Sequence, residues 1–248
     1  MKKLLLVAAT STAFLTSTAS FAETGRFYLK AEGGASKLST INWEYADVSL
    51  KLKSSISGIF GAGVGYYLMD NVRAELTLSI LANPEHRGSF NGVFIFEKPK
   101  FNEYLSYIKF KEYKISETTK IKSRVKSLLL SGYVDLYDAG GIAKIFVGAG
   151  VGMAKVQEKR VCTATATNEK GKSETIVFSI SSKNANNFAY QLTAGVSFNL
   201  VNGIKLDFAY SWRDYGQTSS KGNDKDDPKL YKSAYRGHNL MTGIRFDI

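Results

Sequence analysis

The sequence predicts an all-β chain, an eight-stranded antiparallel transmembrane β-barrel with short periplasmic turns and four long extracellular loops. Three observations predict it. The chain opens with an export signal, no later stretch is apolar enough for a membrane helix, and apolar and polar residues alternate with period two in repeated segments.

Composition narrows the alternatives first. In 248 residues, 44% are apolar and only 3 are proline, which excludes a disordered tail. One cysteine excludes a disulfide scaffold, a zinc ribbon and a CxxC redox site. A formal charge of +11 favours an acidic partner without naming its class.

Lys2 and Lys3 precede an apolar run over 4–15 and then Ser20-Phe21-Ala22, a small-x-small cleavage motif. A run this short falls well under the roughly 20 residues a spanning helix needs. Residues 1–22 therefore read as a signal peptide cut between Ala22 and Glu23, leaving 23–248 as one outer-membrane barrel domain of charge +9 once Lys2 and Lys3 are gone. No cysteine follows the cut, so a lipoprotein anchor is not expected, and Cys162 reads as an unpaired surface thiol in a polar segment.

The strands follow in order. Over 72–80, Val72, Ala74, Leu76, Leu78 and Ile80 share one face, and Arg73, Glu75, Thr77 and Ser79 share the other. Over 204–213, Ile204, Leu206, Phe208, Tyr210 and Trp212 oppose Lys205, Asp207, Ala209, Ser211 and Arg213. The same alternation runs through 27–35, 56–68, 126–136, 143–153, 188–200 and 238–248. Eight is an even count that returns both termini to one side, and closure removes the edges that lipid does not tolerate.

Connections alternate in length. Short turns fall at 69–71, 137–141 and 201–203, and long loops at 36–54, 82–122, 155–187 and 214–236. Short turns are periplasmic and long loops extracellular. Outward aromatics form two girdles, Phe27, Tyr66, Phe198 and Phe246 below and Phe188, Tyr190 and Trp212 above.

A soluble barrel or sandwich would alternate too, with its apolar face inside. Here the face opposite the large apolar residues carries Lys30, Glu32, Arg73, Glu75, Asp135, Lys144, Lys205, Asp207, Arg213, Arg245 and Asp247, charges of both signs that suit a polar lumen. Glu75, Asp207 and Asp247 each have a basic residue two positions away on the same face, namely Arg73, Lys205 and Arg245, so structural pairing accounts for them without catalysis. The runs Gly61-Ala62-Gly63-Val64-Gly65 and Gly148-Ala149-Gly150-Val151-Gly152 lack the spacing and following helix of a dinucleotide fingerprint. In this register their glycines point inward and make room for arginines and tyrosines of neighbouring strands, which fills the interior and opposes a wide pore.

Little else suggests chemistry. His86 and His238 are the only histidines, too few for a histidine metal cluster, and His238 faces outward near the rim rather than serving as a base. No catalytic residue, cofactor or metal is expected, and the chain does not read as an enzyme. The loops carry +8 of the mature +9, with Lys and Arg against Asp and Glu at 3 to 2, 8 to 5, 6 to 3 and 5 to 4. Loop two mixes Phe90, Phe94, Phe96, Phe101, Tyr104, Tyr107, Phe110 and Tyr113 with Lys98, Lys100, Lys109, Lys111 and Lys114. Aromatics beside basic residues compose a binding surface, with Lys98, Lys100, Tyr104, Tyr107, Lys109, Phe110, Lys111, Tyr113 and Lys114 as its candidate contacts. The competing reading packs these aromatics within the loop while the lysines meet outer-membrane lipid and lipopolysaccharide. Tyr104, Tyr107, Phe110 and Tyr113 recur every third position, which suits a short helix or an extended hairpin. Nucleic acid is not an expected partner.

The runs GAGVGYYLMDNVRAELTLSI (61–80), SGYVDLYDAGGIAKIFVGAGVGMAKV (131–156), NNFAYQLTAGVSFNL (186–200), YSWRDYGQT (210–218) and YRGHNLMTGIRFDI (235–248) resemble the rickettsial surface adhesins, within the wider OmpA-type and opacity-protein class of eight-stranded barrels. Leu240, Ile244, Phe246 and Ile248 are spaced like the outer-membrane insertion signal, which usually ends on an aromatic rather than on Ile248. The resemblance covers the signal peptide and all eight strands and is weak in the loops. It implies adhesion to host-cell surface proteins through the loops, capture of a vitronectin-like serum glycoprotein being one form of it.

The reading is therefore a monomeric outer-membrane barrel whose wall presents four mobile basic loops that adhere to host proteins. Its rivals are a narrow pore for small solutes and a purely structural membrane protein.

Overall fold

A computed structural model describes residues 26–45, 48–94, 113–139, 142–167, 171–181, 184–221 and 230–248. Among them every regular element is a strand: β1 (Phe27–Leu38), β2 (Ile41–Tyr45), β3 (Val48–Ser54), β4 (Ile56–Met69), β5 (Val72–Ala82), β6 (Glu85–Phe94), β7 (Tyr113–Ala139), β8 (Ala143–Thr167), β9 (Ser173–Ser181), β10 (Ala185–Val201), β11 (Ile204–Lys221) and β12 (Leu230–Asp247). Eight of them form an antiparallel ring in the order β7-β5-β4-β1-β12-β11-β10-β8, closed by the β7–β8 pairing. The ring is the expected barrel. It joins first strand to last through Tyr28↔Asp247 and the residues after them.

The ring wall is apolar outside and polar within. Leu29, Phe60, Leu76, Leu78, Leu130, Leu192, Phe208 and Leu240 are exposed on its outer surface, while Arg73, Glu75, Asp207, Arg213 and Arg245 are buried inside. Only lipid accommodates that inversion in a closed barrel, so the chain is an outer-membrane protein. Phe27 packs on Tyr66 at 4.8 Å between ring centroids, near the short turns. Toward the opposite end Phe188, Tyr190 and Trp212 form a continuous aromatic cluster.

Three expectations need correction. The lumen is not polar along its whole height. Higher up, Ile59, Leu81, Val125, Leu129, Val156, Tyr215, Tyr235 and Met241 form an apolar cluster that plugs it. This follows because each ring strand continues inward-facing apolar residues past the polar layer, where alternation alone does not distinguish inside from outside.

The long connections are also not simply four mobile loops. β7 and β8 stay paired from Ala139↔Ala143 up to Lys114↔Thr167, far beyond the apolar belt. β6 adds to the raised part of β7, β3 meets β6 at Lys53↔Arg87, β2 pairs with β3, and β9 adds to β8. These stretches escape a hydropathy reading because their outward face is polar and their inward face mixes apolar with polar residues, yet the barrel has already set their register and backbone pairing propagates upward. Finally, Cys162 is not a surface thiol. It faces inward on the raised part of β8 and is 1% exposed, with Thr119 Oγ1 3.6 Å from its Sγ.

Candidate binding surface

Within the lower lumen the charged residues form a cross-strand network. Glu75 accepts from Tyr28 at 3.0 Å and Thr77 at 2.7 Å, and lies 3.2 Å from Lys30 Nζ, which also pairs with Glu32 at 2.8 Å. Arg73 pairs with Asp135 at 2.5 Å and stacks on Phe146, 4.5 Å from the ring centroid. Asp207 pairs with Arg245, and Asp247 with Lys205, both at 2.8 Å. Arg213 lies 3.5 Å from Glu32 and donates to Ser79. For Glu75, Asp207 and Asp247 the partners are thus not the neighbours two positions along the strand but Lys30, Arg245 and Lys205 on other strands. Because Lys205 sits directly opposite Arg245 in the register, each acid is reached along the diagonal.

Above the apolar plug lies a second buried cluster that sequence reasoning missed. Glu158 accepts from Thr218 at 2.8 Å, Tyr235 at 3.0 Å and Arg160 at 2.8 Å, and Ser123 shares a 2.7 Å hydrogen bond with the Tyr235 hydroxyl. His86 lies edge-on to Tyr235 at 6.0 Å, with its Nε2 3.1 Å from the Ser39 carbonyl. A carbonyl only accepts, so Nε2 carries the proton. These contacts bind β6, and with it β3, to the barrel mouth, and Ile41, Leu52 and Ile121 form a small apolar core above. The findable signal was the alternation Val156, Glu158, Arg160, Cys162, which continues the inward face of β8 into the segment read as loop three.

The outer surface rises on this base. The β6–β7 hairpin runs from Glu85↔Lys122 to Phe94↔Tyr113. Tyr113, 13 residues beyond Lys126, stands roughly 40 Å farther along the strand. Of the predicted contacts, Tyr113 and Lys114 open β7 at this crest, and Lys114 is exposed. Lys98, Lys100, Tyr104, Tyr107, Lys109, Phe110 and Lys111 lie outside the described residues, as does the proposed cleavage at Ala22 and Glu23. His238 is exposed on the ring and hydrogen-bonded to Tyr210 at 2.5 Å.

A closed ring, an apolar outer belt, a charged interior and strands raised above one rim define an eight-stranded outer-membrane β-barrel with surface-exposed loops. No family model matches the chain. It is 37% identical over 274 aligned positions to a Rickettsia conorii protein named "Putative adhesin RC1281", covering 100% of both chains. A Rickettsia rickettsii protein of the same designation is 36% identical, again over 100% of both. The chain belongs to this rickettsial adhesin family. Among solved structures, outer membrane protein OprG from Pseudomonas aeruginosa is similar at 14% identity, 90% of this chain, 96% of that one and a TM-score of 0.46.

Proposed function

We propose that the protein is a surface adhesin whose basic, aromatic-bearing extracellular segments bind host-cell surface proteins or a vitronectin-like serum glycoprotein. One observation carries the reading: the paired β7–β8 stem lifts the two ends of the basic and aromatic run 95–112 to a crest well clear of the lipid belt. A stem held by continuous strand pairing leaves less of the chain to be ordered when a partner is engaged. The sequence of that run, with Lys98, Lys100, Lys109 and Lys111 among Tyr104, Tyr107 and Phe110, has the composition of an interface. Kinship to proteins named as adhesins supports the same reading. The apolar plug argues against a solute pore.

Residues 1–22 are, on this reading, removed on export, and the mature chain begins at Glu23. Mass measurement of the membrane-extracted protein checks that directly.

The test of adhesion is binding of the refolded full barrel in detergent to immobilised host surface proteins and vitronectin across a salt series. A version with residues 95–112 replaced by a short linker serves as comparison, its folding checked by the heat-modifiable gel shift. Saturable binding that weakens with salt and disappears on replacement supports the proposal. A folded barrel that binds none of them overturns it.

A further inference from the structure

The outward side chains of β7 and β8 change character at one level. On β7 Leu136, Val134, Leu130 and Leu128 are exposed and apolar, and on β8 so are Ile145, Val147, Val151 and Met153. The next outward positions are Lys126, Arg124 and Lys122 on β7 and Lys155, Gln157 and Lys159 on β8. All five cations are exposed. The register sets Lys126 directly opposite Lys155 and Lys122 directly opposite Lys159, with Arg124 facing Gln157 between them.

Directly opposed residues have Cβ atoms about 5 Å apart, and like charges there repel. Two Lys–Lys pairs on one face, with Arg124 between them, therefore work against the sheet unless an anion sits among them. Among the described residues no carboxylate pairs with any of the five. Glu158 is turned into the barrel and engaged there, and Glu85, opposite Lys122, is taken by Arg87 and Lys120.

Height identifies where the anion comes from. From Leu136 to Leu128 the strand climbs about 26 Å along its axis, or roughly 20 Å along the membrane normal at the usual tilt, close to the apolar belt of such barrels. Phe188, opposite Met153 and exposed, is an interfacial aromatic at the same boundary. The five cations thus stand at the headgroup layer of the outer leaflet, and lysine stems that lie along the wall bring their ammonium groups to it.

We propose that Lys122, Arg124, Lys126, Lys155 and Lys159 form a binding site for a phosphorylated lipid headgroup of the outer leaflet, of the kind lipid A presents. The site lies on the strand stems rather than at the crest of loop two, and it does not depend on the adhesion reading, because its ligand is a lipid and no host protein enters the measurement.

The test titrates the refolded full chain in neutral detergent with lipid A carrying two phosphates and with the same lipid dephosphorylated. The comparison protein carries Lys122→Gln, Lys126→Gln, Lys155→Gln and Lys159→Gln. The wild-type chain is expected to bind the phosphorylated lipid at least about tenfold more tightly than the dephosphorylated one, and the variant to lose most of that preference. Soluble inorganic phosphate at millimolar concentration is expected not to displace the lipid.

A second readout remains if the fourfold variant does not fold. The pair Lys126→Gln with Lys155→Gln relieves one repulsion, so without lipid A it should unfold at a higher temperature than wild type, and with saturating lipid A at a lower one. Equal binding of the two lipids by wild type, a variant that keeps the preference, or no reversal of the thermal order overturns the proposal. So does a patch that binds heparin but not lipid A.

Discussion

The Tyr28 ring lies against the bare backbone of Gly65 on the neighbouring strand, in the space that a Cβ there would occupy. That position lets the Tyr28 hydroxyl donate to Glu75 across the lumen at 3.0 Å. Gly148 stands in the same relation to the ring of Tyr133. Gly65→Val is therefore expected to expel Tyr28 and destabilise the barrel by about 2–3 kcal/mol, the usual cost of overpacking. Gly132 faces open space, and Gly132→Ala should be neutral within about 0.5 kcal/mol. Urea midpoints followed by the heat-modifiable gel shift compare the two.

Arg245 and Asp207 are each nearly inaccessible, with Arg245 Nη2 donating to Asp207 Oδ1 at 2.9 Å. Removing one partner strands the other charge. Asp207→Leu should cost about 3–5 kcal/mol, whereas Arg245→Met combined with Asp207→Leu should recover much of that loss. A double-mutant cycle in urea measures the coupling, and additive losses would show that the pair is not an energetic unit.

His86 is buried where β6 meets the barrel mouth, and burial holds its imidazole below the usual histidine range despite the Ser39 carbonyl and the Glu158 carboxylate, which favour the cation. Its Nδ1 has no hydrogen-bond partner among the described residues, so a proton there would be unpaired. Ile121 and Ser54 flank it on β7 and β3, and Tyr235 and the Arg160-bonded Glu158 face it from β12 and β8. The opened state takes up a proton near pH 6.5 and the closed state only at lower pH, so closure is fully favoured above about 6.5 and weakens as pH falls, by at most about 1.4 kcal/mol per pH unit. Hydrogen exchange of β6 amides should accelerate between pH 7 and 5 beyond the intrinsic chemistry, and His86→Phe should flatten that dependence.

Burial pushes the Cys162 thiol up, only partly offset by the Thr119 hydroxyl. A maleimide at pH 7 should label the folded protein at least about tenfold more slowly than the urea-unfolded one. Equal rates would mean that the raised part of β8 opens readily.

The strand segments, their inward and outward faces and the alternation of short and long connections were legible in the sequence, because a lipid-facing wall demands large apolar residues at every second position. The crest was not. Beyond Lys126 and Lys155 the outward residues turn polar, and the alternation that marks Leu128, Leu130, Val151 and Met153 ceases to be a hydropathy signal although the strands continue. Glu158, Arg160 and Cys162 were assigned to a polar loop for the same reason. The lumen charges were found by alternation, but not their partners, since Asp207 meets Arg245 and Asp247 meets Lys205 across strands 38 and 42 residues apart in the chain.

By itself the sequence determined that this chain closes into a barrel in lipid, because period-two patterning and the solvation of backbone groups are local constraints that each strand satisfies alone. Only the tertiary structure decided what lies opposite what. Register places Tyr28 against Gly65, plugs the upper lumen, carries β7 and β8 above the membrane and sets Lys126 facing Lys155. Those relations depend on pairings between residues remote in sequence, and pattern along one strand holds no information about its neighbour's offset.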